Sequence, residues 1–182
     1  MQPPQMVPTG DAAVPWPTAT LWNEAREALQ YSLSQAPDRM AVARQIADRL
    51  AHQLDLLADR FDQLAATTCD NCPDPCCAHA KVWLTFQDLL LIHLHNEILP
   101  PHQLRRNFDE PCRFLGLRGC TLPRLSRPWI CTWYICPNQR QAMERDVPGG
   151  MAQTVATLAR VKSLREEMEQ SFLTALGLTA AA

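Results

Sequence analysis

All eight cysteines of the chain fall between Cys69 and Cys136, and nothing else in the sequence narrows its possible folds as much. The amino terminus, MQPPQMVPTGDAAVPWP, has no basic residue and no apolar run of signal-peptide length, so export is not expected. In a reducing compartment thiols stay reduced unless a metal holds them, which shifts the expectation from disulfides to metal ligands and places the protein in the cytoplasm. The apolar stretch Leu89-Leu90-Leu91-Ile92 is cut by His93 and His95 and falls far short of the ~20 residues that span a bilayer. No membrane association is therefore expected. A net charge of -2 gives no electrostatic reason to expect nucleic acid.

The first cluster reads Cys69-Asp70-Asn71-Cys72-Pro73-Asp74-Pro75-Cys76-Cys77. Two residues between Cys69 and Cys72 let both sulfurs converge on one metal through a tight turn, and the Pro, Asp and Asn around them are turn formers. A redox-active dithiol uses the same spacing, but four cysteines so close together read better as a ligand loop. The second cluster is spread out as Cys112, Cys120, Cys131 and Cys136. Eight thiolates suit two tetrahedral sites. Cys76 and Cys77 are neighbours, whose side chains in extended backbone point to opposite sides, so they can serve different sites or two faces of one centre. The division of ligands stays open.

The spacing Cys69-x2-Cys72-x3-Cys76-Cys77, followed by Cys112-Arg113-Phe114-Leu115, Gly119-Cys120 and Arg127-Pro128-Trp129-Ile130-Cys131, resembles the bacterial YkgJ-type cysteine-cluster family. The likeness extends through residues 81–88, an apolar run leading into a Thr-capped helix with an Asp, and so covers roughly residues 69–137. It implies chelation of zinc or iron. One departure is Thr132, which stands after Cys131 where the family commonly has arginine, and no role is carried over from that arginine.

Zinc fits as a structural staple, because four thiolates around a d10 ion add folding energy and require no further chemistry. An iron-sulfur cluster fits the cysteine-only set equally, and Phe114, Trp129, Trp133, Tyr134 and Ile135 would shield it. His79 occupies the place where a radical-SAM motif would need its third cysteine, which disfavours that enzyme class; its imidazole can itself ligate zinc or a cluster, but with eight thiols available His79 reads first as a surface or supporting residue. His93 and His95 are two apart on a helix, face different directions and read as structural. Arg127, Trp129 and Trp133 read first as packing residues. No Ser-His-Asp arrangement, phosphate loop or dinucleotide fingerprint is present.

The frame around the cysteines is expected to be helical. Residues 1–17 hold Pro3, Pro4, Pro8, Pro15 and Pro17 and read as a flexible tail. Residues 18–66 carry two helices. The first is capped by Thr18 or Thr20, runs to Gln35 and has Leu21, Trp22, Ala25, Leu29 and Leu33 on one stripe. In the second, residues 38–66, the positions Met40, Ala43, Ala47, Leu50, Leu54, Leu57, Phe61 and Leu64 form a heptad seam, and four heptads span about 42 Å. Residues 67–137 form the metal-binding module, with a helix predicted over 86–99, capped by Thr85 and stopped by Pro100-Pro101, and minor strand or irregular structure after it. Residues 138–182 hold a long helix over 151–176 with Val155, Leu158, Val161, Leu164 or Arg165, Met168, Phe172 and Leu176 near one face and Gly177 as its cap. It is expected to pack on the seam within one chain, although the same heptad faces also suit a homodimer or a protein partner.

The fold class is thus mainly α, a long helical hairpin or bundle framing a small cysteine-rich module. The expected function is non-enzymatic metal binding in an accessory or metal-handling role, with a redox-active iron-sulfur protein for electron transfer or oxidation sensing as the alternative.

Overall fold

Thr18 Oγ1 accepts the Leu21 N–H at 3.3 Å and starts helix α1, Ala19–Gln35, where the sequence places a cap. Trp22, Leu29 and Leu33 face inward, whereas Leu21 is exposed. The structure, a computed structural model, describes residues 14–69, 72–73, 75–107, 109–116, 119–146 and 150–178. Pro37 leads through a 3-10 turn, Asp38–Met40, into α2, Ala41–Thr68. All eight predicted seam positions, from Met40 to Leu64, are buried. Ile46 and Ala51 are buried as well, so the apolar stripe is wider than a two-helix seam.

The width follows from what covers α2. Its main partner is α7, Gly150–Ala175; α4, Phe86–Leu94, and α6, Pro137–Asp146, lie against it too. Arg60, late in α2, donates to the Gly150 carbonyl at 3.1 Å and to Thr154 Oγ1 at 2.9 Å, early in α7, so the two long helices run antiparallel and pair within one chain. On α7 the buried positions are Thr154, Val161, Leu164, Arg165, Met168 and Phe172. Val155, expected on this face, is 54% exposed, and Thr154 takes the inward place because its hydroxyl bonds both the Gly150 carbonyl, at 2.8 Å, and Arg60. Gly177, at φ 71°, ends the helix as expected: its N–H bonds Thr174 O and that of Leu178 bonds Leu173 O, the paired bonds of a Schellman cap.

The same cap stops α4 five residues before the predicted end. Asn96 adopts φ 56°, its N–H bonds His93 O and the Glu97 N–H reaches Ile92 O. Asparagine tolerates the left-handed region through its short polar side chain, so the helix turns off before Pro100-Pro101 can act. The Trp22 indole N–H donates to the Pro100 carbonyl at 3.1 Å and ties α1 to the segment beyond.

Between α2 and α4 lies a one-turn helix α3, Cys76–His79. After α4 come an antiparallel pair, β1 Leu115–Gly116 and β2 Gly119–Cys120 with Leu115 opposite Cys120, a 3-10 turn Arg124–Ser126 and the one-turn α5, Ile130–Trp133. The minor strand expected in the cysteine-rich region is therefore present, and the chain is mainly α. No helix of the described residues is long and apolar enough to cross a membrane.

Most of the proline-rich tail lies outside the described residues, but its last part is packed. Val14 is buried, and Trp16 meets the Trp22 ring edge-on at 6.3 Å. Gln103, fully buried, holds this segment: Nε2 donates to the carbonyls of Pro15 and Leu84, both at 3.0 Å, while Oε1 accepts the N–H groups of Leu84, at 2.8 Å, and Leu104, at 2.9 Å. One side-chain amide thus satisfies four backbone groups that no helix or strand serves.

His93 lies near Arg26 of α1, with its Nε2 buried and, among the described residues, without a hydrogen-bond partner. Burial and then the Arg26 guanidinium hold its pKa below the usual 6.5. Above that value both folded and unfolded chains carry a neutral imidazole; as pH falls below it, the unfolded chain takes up a proton that the native state refuses. Stability therefore drops with falling pH until the lowered native value is passed. Thermal midpoints measured between pH 8 and pH 5 are expected to fall more for the wild type than for His93→Leu, and equal slopes would remove His93 from the acid response.

Candidate metal centre

Two of the cysteines, Cys69 and Cys136, sit at the ends of the helices α2 and α6. Cys69 is the C-cap of α2, its N–H bonded to Ala65 O at 2.8 Å. The Cys72 N–H returns to the Cys69 carbonyl at 3.1 Å, the tight turn that the two-residue spacing predicts. Cys136 stands immediately before α6, with Pro137 as first helical residue and the Gln139 N–H donating to its Sγ at 3.4 Å. Sulfur here takes the place that a serine or aspartate oxygen holds at an N-cap, at the end of a helix whose partial positive charge favours an anion.

Gln139 then reaches further. Its side-chain Nε2 donates to Cys69 Sγ at 3.8 Å, so one residue contacts sulfurs that lie at opposite ends of the cysteine region. Grouping in sequence is accordingly not grouping in space, because an early and a late cysteine share a donor. The sequence reading missed Gln139, although Pro137 at the first helical position and Gln139 at the third form a recognisable helix-start pattern.

Cys131 lies exposed on α5, close enough to Arg124 to act on its charge. Burial, and then the Arg127 guanidinium, lower the Arg124 pKa to about 10, while Cys131 acts in the opposite direction. Arg124 also pairs with Asp62 and donates to the Ala58 carbonyl at 3.4 Å, both on the last turns of α2. Arg127 is anchored by Nε to the Leu122 carbonyl at 3.0 Å. A guanidinium within electrostatic reach of a thiol, with a second beside the first, is a surrounding suited to a negatively charged thiolate centre.

Cys112 and Cys120 are half-buried on and before the small hairpin and pack against the core. The Cys112 carbonyl accepts the Leu115 N–H at 3.1 Å, and Thr121, after Cys120, bonds the Phe114 carbonyl through both N–H and Oγ1. The side chains of Cys76 and Cys77 lie outside the described residues. His79 is exposed at the end of α3, and His95 faces Asp48, at 3.8 Å, and Glu97, at 3.5 Å. Among the described residues no three Cys, His, Asp or Glu side chains are grouped as ligands of one ion. In donor type the thiols fit zinc or an iron-sulfur cluster, and the N–H groups that Gln139 aims at two of them are of the kind that hold and tune ligating sulfur.

The residues just before Cys131 are tied to the frame by a buried polar knot. Asp88 Oδ1 accepts the Trp129 backbone N–H at 3.0 Å and the Arg165 guanidinium at 2.7 Å, and Oδ2 accepts the Thr85 N–H and hydroxyl, both at 2.8 Å. Thr85 and Asp88 form a capping box at the start of α4. Arg165 also lies 5.7 Å from the centre of the Trp129 ring. The sequence offered Thr85 as a cap and placed Arg165 near the core face of α7, but the link between them is visible only in three dimensions.

Comparison with protein-family models, with curated proteins and with solved structures found no match to this chain.

Proposed function

We propose that this protein chelates zinc or an iron-sulfur centre through the thiolates of Cys69, Cys72, Cys76, Cys77, Cys112, Cys120, Cys131 and Cys136, and serves as a non-enzymatic metal-handling or accessory protein. The observation that carries this reading is the pair of N–H donations from Gln139 to Cys69 and Cys136, thiols 67 positions apart (136 − 69), on a helix end and a helix start. Arg124, within electrostatic reach of Cys131, supports it, since its charge would offset that of a thiolate-bound metal. The bound ion would draw the ends of α2 and α6 and the segments between them onto the helical pair, adding folding energy to a region with little regular structure of its own.

Anaerobically purified protein is expected to contain either stoichiometric zinc without colour or iron and sulfide with a visible band. A band that bleaches on reduction would select the redox-active alternative over the structural one. Cys69→Ser and Cys136→Ser should each lower metal content per folded chain, and unchanged content in both would defeat the proposal.

A further inference from the structure

We propose that Asp88 is a positioning residue for the thiolate site: its carboxylate fixes the Trp129 backbone, and through it Cys131, on the helical frame before any metal arrives. The inference rests on the chelation reading above. Its geometry is independent of that reading.

Asp88 and Arg165 retain only 3% and 5% side-chain exposure, so the carboxylate is bound by protein donors and hardly by water. Four donations converge on its two oxygens, from three stretches of chain: Thr85 at the start of α4, Arg165 from the middle of α7 and the Trp129 N–H. Of these, only the Trp129 donation acts on the cysteine-bearing segment. Trp129 opens the single helical turn in which the Thr132 and Trp133 N–H groups bond its carbonyl, at 2.9 and 3.1 Å, and Cys131 is the second residue of that turn. A four-residue helix has no stability of its own, so its placement depends on the anchor. The Arg165 guanidinium against the Trp129 ring restrains the same residue from a second direction.

Asn at position 88 keeps the shape but not the pattern. It offers one acceptor and two donors where four donors converge, which leaves the Thr85 or the Trp129 group facing another N–H. Thr85→Val is the control, because it removes the hydroxyl of the capping box while leaving the Asp88–Trp129 bond in place.

The test is cobalt(II) titration of metal-free wild type, Asp88→Asn and Thr85→Val, read by the thiolate-to-cobalt charge-transfer band and by chelator competition, at a temperature where far-UV circular dichroism shows each folded. Asp88→Asn is expected to bind cobalt about 10- to 100-fold more weakly with an altered band, as supporting residues of metal ligands do. Thr85→Val should lose stability but keep affinity and band. Should Asp88→Asn not fold, hydrogen exchange on metal-free wild type decides: the Trp129 amide should stay protected, and exchange at the rate of free peptide would overturn the proposal. Wild type that binds cobalt while Asp88→Asn binds it identically overturns the positioning role alone. Wild type that binds no cobalt overturns the chelation reading, and this inference with it.

Discussion

Arg165→Met is expected to destabilise the protein by about 3–5 kcal/mol, the range seen when one partner of a buried ion pair is removed. The methionine fills most of the space, so little of the loss comes from a cavity. The cost arises because Asp88 remains, nearly inaccessible to water, with its charge no longer compensated by the guanidinium at 2.7 Å. Thr85 and Trp129 still donate to it, which keeps the loss below that of a bare buried carboxylate. Adding Asp88→Asn removes the orphan charge, and the double variant should therefore be less destabilised than the sum of the two single ones. Urea unfolding of the four proteins measures this cycle. A single Arg165→Met variant within about 1 kcal/mol of wild type would mean that the remaining donors solvate the carboxylate unaided.

The second large effect concerns removal of metal. Structural zinc contributes apparent binding energies of roughly 10 kcal/mol or more, and here that energy would fall on a region poor in other support. Apart from α4, its regular elements are strands of two residues, a 3-10 turn of three and helices of four, below the length at which any is stable alone. The α2–α7 pair, by contrast, buries a continuous apolar stripe from Met40 to Leu64 against Val161, Leu164, Met168 and Phe172. Treatment with a strong chelator should then leave most far-UV helix signal intact while amides of residues 72–79 and 112–121 lose protection by several orders of magnitude in exchange rate. Uniform loss across α2 and α7, or no loss anywhere, would contradict this division of labour.

The sequence was most informative where one periodic rule governs a long stretch. The seam could be read because eight positions repeat from Met40 to Leu64 and every one is buried. It was read too narrowly because a heptad implies one partner helix, whereas α4 and α6 also lie against α2, on which Ile46 and Ala51 are buried too. The end of α4 was misplaced for a local reason: two prolines are conspicuous, while a single asparagine in the left-handed region is not. On α7 a hydroxyl, that of Thr154, took the inward place expected of Val155 because Arg60 satisfies it, and the expected alternative Arg165 is buried together with Leu164 because Asp88 neutralises it. Neither partner is near in sequence.

For the candidate site the pattern is similar. Cys69 and Cys72 form the predicted turn, a local matter of spacing and backbone. The sharing of Gln139 between Cys69 and Cys136 depends on where α6 lands on the end of α2, and no residue within reach of either cysteine in the sequence announces it. Arg124 escaped notice for the same reason, since its contacts at Ala58 and Asp62 lie more than sixty residues away.

Gln103 also bears on the shelf life of the protein. Hydrolysis of this glutamine amide to a carboxylate would put an accepting oxygen where Nε2 now donates to the carbonyls of Pro15 and Leu84. Oxygen would face oxygen in a buried site, and the contact to Pro15, 88 residues away in sequence, is the one with least else to hold it. Chemical wear at the middle of the chain would show first at its beginning, as release of residues 14–17 and exposure of the Trp22 ring that Trp16 covers.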